Sequence, residues 1–196
     1  MARRVTVAEY AELLERASHR GLPDALRRAM TTSALTAEAR AKRALTRGGS
    51  GPDTRSGRLR NSVRGFARGR GWEQEAVVRA DAEYASAHEY GATIRPKRSQ
   101  YLAIPLDAAK TAAGVARGGP RDFPDLFFIR SKAGNLLLVQ AGGDHESGLI
   151  PFFALKSEVT IPARPFARPA IERARRDLPR LLGRAVREAV TVEGAA

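Results

Sequence analysis

Apolar positions at Val7, Tyr10, Leu14 and Ala17 recur at helical spacing, and a second run follows at Leu22, Leu26, Ala29, Ala37, Ala41 and Leu45. Gly21 and Pro23 separate the runs; proline suits a first helical turn and disfavours a helix interior. The pattern predicts a short helix to about His19 and a longer one to about Arg47, stopped by Gly48-Gly49-Ser50-Gly51-Pro52-Asp53. Leu59 to Phe66 and Trp72 to Ala80 then read as the strands of a hairpin turning near Gly69 and Gly71. Ala82 to Tyr90 reads as a short helix ended by Gly91, a residue free to take the left-handed cap conformation. Thr93 to Arg95 and Tyr101 to Leu106 read as short extended pieces around the basic turn Pro96-Lys97-Arg98-Ser99.

Residues 112–124, rich in Gly and Pro, read as a mobile loop. Two strongly apolar strands, Leu126-Phe127-Phe128-Ile129 and Leu136-Leu137-Leu138-Val139, flank the turn sequence Lys132-Ala133-Gly134-Asn135. They are expected at the centre of a sheet or at a contact between subunits. Ile150 to Ile161 supplies a further strand. Ile171, Ala174, Leu178, Leu181, Ala185 and Ala189 mark a C-terminal helix, kinked by Pro179, whose polar side carries Arg173, Arg175, Arg176, Arg180, Arg184 and Arg187. The order predicts a single α+β domain over residues 1–196, with N-terminal and C-terminal helices packed on a largely antiparallel sheet and flexible ends at 1–5 and 191–196.

Composition sharpens this picture. Leu, Val, Phe and Ile number 18, 11, 7 and 6 in a chain of 196 residues, whereas Ala alone numbers 35. Alanine favours helices and close contacts but buries little apolar area per residue, so the core is lean and gains from burying surface against neighbours. The net charge of +13 is carried by 29 Arg against 5 Lys. That excess has two readings: an Arg-rich surface for phosphate or carboxylate, or a genome whose base composition favours Arg and Ala codons. The chain has no Cys, which excludes disulfides and thiolate chemistry. No apolar run reaches the roughly 20 residues of a membrane span. The basic start Met1-Ala2-Arg3-Arg4 leads into alternating apolar and charged residues, unlike a signal peptide, so a soluble chain is expected.

No catalytic constellation emerges. His19, His88 and His145 are far apart, and Asp144-His145-Glu146 lies between glycines that mark a solvated turn rather than a metal site. The nucleophile-elbow, phosphate-loop and dinucleotide glycine patterns are absent. The densest basic segment holds Arg55, Arg58, Arg60, Arg64, Arg68 and Arg70; on a strand Arg58, Arg60 and Arg64 share one face. Only Phe66 and Trp72 stand near it, so phosphate contact without base stacking, or a protein-facing strand, is what it offers.

Three stretches carry a resemblance: Ser56-Gly57-Arg58-Leu59-Arg60-Asn61-Ser62; Tyr84-Ala85-Ser86-Ala87-His88-Glu89-Tyr90-Gly91-Ala92-Thr93-Ile94-Arg95-Pro96-Lys97, running on to Tyr101-Leu102-Ala103-Ile104-Pro105; and Val159-Thr160-Ile161-Pro162-Ala163-Arg164-Pro165-Phe166-Ala167-Arg168-Pro169-Ala170. In order and spacing they resemble the tail-completion or neck (head–tail joining) proteins of tailed phages and the related virion morphogenesis proteins of Mu-like phages. Ser56 stands where that family usually has Thr, and Ala167 where Leu is common.

The resemblance implies a non-enzymatic virion protein without cofactor or metal, assembled in the host cytoplasm. It implies a closed homo-oligomeric ring, commonly a hexamer, between the head connector or adaptor and the tail-tube or tail-terminator proteins, with genome DNA passing through the lumen. A basic nucleic-acid-binding protein is the alternative. The expected interface residues are Arg58, Arg60 and Arg64; Tyr90 and Arg95; Phe127, Ile129, Leu136 and Leu138; and Arg164 and Phe166. For Phe166 the competing reading is plain core packing.

Overall fold

In the computed structural model the described residues are 21–46, 48–53, 55–142 and 148–193, with positions 11, 12, 15 and 18 before them. The expected helix to His19 falls largely outside them, as do residues 1–5 and Asp144-His145-Glu146. The chain is α+β, and every strand pairing is antiparallel. It divides into two compact units: Met1–Asp53, Arg58–Ala85 and Pro165–Ala196 form the first, Thr54–Gly57 and Ser86–Arg164 the second.

The first unit is built on two long helices, α1 (Leu22–Ala44) and a C-terminal one, Arg168–Glu193. Pro23 sits in the first turn of α1, where its missing N–H costs nothing. The buried face of α1 is Ala25, Ala29, Ser33, Ala34, Ala37 and Ala41, all small side chains that let neighbouring backbones approach closely. A short helix α2 (Arg58–Ser62) follows, then a hairpin of β1 (Val63–Arg70) and β2 (Glu73–Ala80) in continuous register from Val63↔Ala80 to Arg70↔Glu73.

The hairpin lies directly on α1. A Cβ added at Gly65 would stand 2.3 Å from the Ala34 carbonyl oxygen, so only glycine fits the contact. Beside it the Gly65 N–H donates to Glu38 Oε2 at 2.6 Å, and Lys42 pairs with the same carboxylate. Arg27 Nη1 donates to the Gly69 carbonyl at 2.9 Å and Gln74 Nε2 to the Pro23 carbonyl at 3.0 Å, tying down the hairpin's far end.

Residues 58–62 correct the expected strand from Leu59 to Phe66. Leu59 and Val63, both buried, are four apart, which is helical spacing, and Ser62 Oγ donates to the Leu59 carbonyl at 2.8 Å. Arg58 and Arg60 therefore lie on a helix and only Arg64 on the strand, so the three do not share a strand face.

The second unit opens with helix α3 (Ala85–Tyr90), whose Ala85 belongs to the first unit, and strand β3 (Ala92–Ile94). Gly91 joins them at φ +76, as the cap reading expects. A four-stranded sheet holds β4 (Leu102–Pro105), β5 (Phe127–Arg130), β6 (Leu136–Ala141) and β7 (Leu149–Lys156) in the order β4-β7-β6-β5. β8 (Val159–Ile161) leaves that sheet to pair with β3, so the single strand expected from Ile150 to Ile161 is two, broken at Ser157-Glu158. Of the two apolar strands expected at a sheet's centre or at a contact between subunits, β6 is interior and β5 is an edge.

Phe153, Leu138, Leu155, Phe152 and Ala109 form this unit's core, with Phe123 edge-to-face on Phe152 and Phe153 at 5.1 and 5.6 Å. The stretch 112–124 is tied by backbone hydrogen bonds from Arg117 to Ala109 and from Thr111 to Val115, and by a turn at Pro120–Asp122. The C-terminal helix is α4 (Arg168–Glu193); it contains Pro179 and runs through residues 191–193.

Two outcomes follow from the clamp at Gly65. Gly65→Ala should lower unfolding stability by about 1–3 kcal/mol in a denaturant titration; a loss below about 0.5 kcal/mol contradicts the close approach. The Lys42 hydrogen bond, against some opposition from burial and with help from the Gly65 amide, holds the Glu38 carboxyl below its ordinary value of 4.5. With the folded value depressed, its contribution is present above about pH 4.5 and lost as pH falls through the folded value. Glu38→Gln should flatten the fall in stability below pH 4.5 while costing stability at pH 7, both read by denaturant unfolding across that range.

Candidate assembly surface

The three stretches behind the resemblance, spread over more than a hundred residues, come together in the fold. Leu59 from the first, Ala85 from the second, and Phe166 and Ala170 from the third share one buried cluster with Ala41, Leu45, Val63 and Ala82. Within the second unit the second and third stretches meet again. β3 pairs with β8, and the Arg164 N–H donates to the His88 carbonyl at 2.7 Å. Gly91 approaches the Ala163 nitrogen and the Ile161 carbonyl so closely that a Cβ would sit 3.1 and 3.2 Å from them. Burial, with the Arg164 charge adding to it, holds the His88 imidazole below its ordinary range, so it is neutral at pH 7.

These contacts assign several of the expected interface residues. Phe166 is 2% exposed and Leu138 is 7% exposed, so both belong to cores. Leu136 is half-buried against the Leu138 cluster. Arg95 is exposed and ion-pairs with Glu158 at 3.0 Å across the end of β3 and β8. Arg58, Arg60, Arg64 and Arg164 are exposed, Tyr90 stands in solvent, and Ile129 is half-buried.

What remains is a corner of the four-stranded sheet. β5 pairs with β6 along one side, Phe127↔Val139 to Arg130↔Leu136, and among the described residues no strand pairs its other side. Its free edge presents N–H and C=O groups, flanked by Phe127 at 41% and Phe128 at 67% exposure. Leu149 and Ile150, the first residues of β7, are exposed at the same end of the sheet, since β5 and β7 both run antiparallel to β6. Phe128 lies in the strand for which a contact between subunits is one of the two expected readings, whereas the Leu149-Ile150 pair is not expected in this role. Four consecutive apolar residues read as a buried strand, and nothing in such a run tells an edge from a centre.

The corner can pair backbone and bury rings, but it holds no reactive groups. Among the described residues no three His, Asp or Glu side chains converge as a metal site. No helix of the described residues is long and apolar enough to cross a membrane. No family model, curated protein or solved structure matches the chain.

The two phenylalanines separate core from surface experimentally. Phe166→Ala should cost about 3–5 kcal/mol in unfolding free energy, the range for a buried aromatic. Phe128→Ala should cost under about 1 kcal/mol in the isolated chain. Equal costs at the two sites contradict this assignment.

Proposed function

We propose that this chain is a structural subunit of a tailed-phage neck, a tail-completion or head–tail joining protein that forms a homo-oligomeric ring and catalyses nothing. The observation that supports it most directly is β5: a strand with an unpaired edge and two phenylalanine rings in solvent, on a subunit with a lean core. Left open, such an edge invites uncontrolled pairing; paired with the next copy, it satisfies the backbone and buries Phe127 and Phe128 together.

The sheet has a second edge in β4, which ends in Pro105, a residue suited to edge strands because it donates no hydrogen bond. An edge of one kind meeting an edge of another is a head-to-tail contact, and such contacts generate rings when the rotation closes. In this reading the ring lies in the virion between the head connector and the tail tube or its terminator, with the genome's path through its lumen. The order and spacing of the three stretches support the assignment to the neck; the edge supports the ring.

The test is oligomeric state. Native mass spectrometry and light scattering should find a closed assembly of one stoichiometry, alone or with tail-tube protein added. The double substitution Phe127→Asp with Phe128→Asp should return it to monomer while leaving the melting temperature within a few degrees. A monodisperse wild-type monomer even with connector and tail-tube proteins present refutes the ring.

A further inference from the structure

A different surface, in the first unit, carries charge rather than rings. α1 and α4 run antiparallel: Ala25 and Ala29 meet Ala185 and Ala189 at one end, and Ala41 and Leu45 meet Phe166 and Ala170 at the other. Along α4 the exposed residues Arg173, Arg176, Arg180, Arg184 and Arg187 follow at intervals of three and four. At about 100° per residue they fall in one stripe, about 21 Å long. Ser33, Thr36, Arg40 and Arg43 form a second polar row on α1 at the same spacing.

Between the rows lie two clefts. One, of about 530 Å³, is lined by Arg40, Arg180, Arg184 and Arg187 around Asp177; the other, of about 560 Å³, by Arg40, Arg43, Arg173 and Arg176 with Glu172. Arg40 belongs to both, so they form one basic groove.

The acids at the groove are already matched. Asp177 lies 2.9 Å from Arg40, Glu172 pairs with Arg168 at 3.0 Å, and Glu188 with Arg184 at 2.7 Å. Arg43, Arg173, Arg176, Arg180 and Arg187 have no carboxylate partner among the described residues. On the groove floor, Arg40 Nη1 is buried against Asp177, so the ligand-facing charge is that of the exposed arginines along the rim.

The chemistry selects the ligand. A row of guanidinium forks holds phosphate oxygens bidentately. Phe166 lines one cleft but is buried, so no ring in the groove is free to stack on a base. An acidic protein would want an apolar anchor amid the charge, and the exposed apolar residues of α4, Ile171 and Val186, lie off the stripe. We infer that the α1/α4 groove binds the phosphate backbone of double-stranded nucleic acid without reading its sequence. The inference does not depend on ring formation, and the monomer should bind.

Fluorescence anisotropy with a mixed-sequence DNA duplex tests it on the full chain. Removing three unpaired charges together, Arg176→Gln, Arg180→Gln and Arg187→Gln, should weaken binding at least about tenfold at 100 mM salt and make the slope of log K against log salt shallower by about 2.7. A control triple, Arg98→Gln, Arg121→Gln and Arg130→Gln, removes the same charge from exposed positions of the second unit. It should change affinity less than about threefold. Substituting Lys at the three groove positions should restore most of the binding, and all three variants should melt near the wild type. Equal losses from both triples reduce the effect to net charge and overturn the inference, as does failure of the wild type to bind duplex. Poly-glutamate of equal charge displacing the duplex as well as unlabelled DNA does would assign the groove to an acidic protein instead and overturn it too.

Discussion

The first unit depends on one close approach: the backbone of β1 resting on the carbonyl face of α1 where Gly65 meets Ala34. Hydrophobic bulk is scarce here. Among the described residues the largest fully buried side chains are Phe153, Leu45, Val63 and Val139, and of these only Leu45 and Val63 belong to the first unit. With small residues along α1 and along the facing side of α4, stability has to come from short backbone separations and from the hydrogen bonds those separations permit. Glu38 fixes the geometry because its carboxylate accepts from a strand amide while Lys42 balances its charge. A longer residue at 65 would lift the hairpin off the helix and with it every contact made along that face.

Much of this architecture is legible in the sequence, and the reasons differ by element. α1 and α4 show because their apolar positions repeat at helical period over six turns or more. The β5–β6 hairpin shows because Ser131 to Asn135 is good turn chemistry, and Gly91 because a helix running straight into a strand needs a left-handed corner. The elements that were misread are those decided by partners distant in sequence. Residues 58–62 coil because Leu59 and Val63 both enter the Phe166 cluster, and β8 parts from β7 because β3 offers it an edge. That β5 is an edge depends on what fails to lie beside it, which no local pattern records. The arginines of α4 are visible as a polar side, but their grouping with Arg40 and Arg43 appears only once the helices are set antiparallel.

The stretches that carry the family resemblance have an architectural meaning. Leu59, Ala85, Phe166 and Ala170 are contacts of a core, and Gly91 and Arg164 are contacts of a backbone corner. Such positions are constrained by packing, so they hold a shape steady while the exposed residues around them are free to differ. The surfaces with something left to bind, the β5 corner and the arginine groove, lie outside those stretches for the most part. Resemblance and binding capacity are therefore carried by largely separate sets of residues.

Apart from Thr54–Gly57, the second unit is one continuous piece of chain, Ser86–Arg164, spliced into the first. Its two ends are neighbours, because Arg164 bonds back to His88 and β8 lies along β3. A module whose ends meet in this way can be lengthened, trimmed or exchanged with little strain on its host, as is usual for tolerated domain insertions. The first unit and the second can then evolve at different rates, one preserving a scaffold while the other is refitted to a changing neighbour.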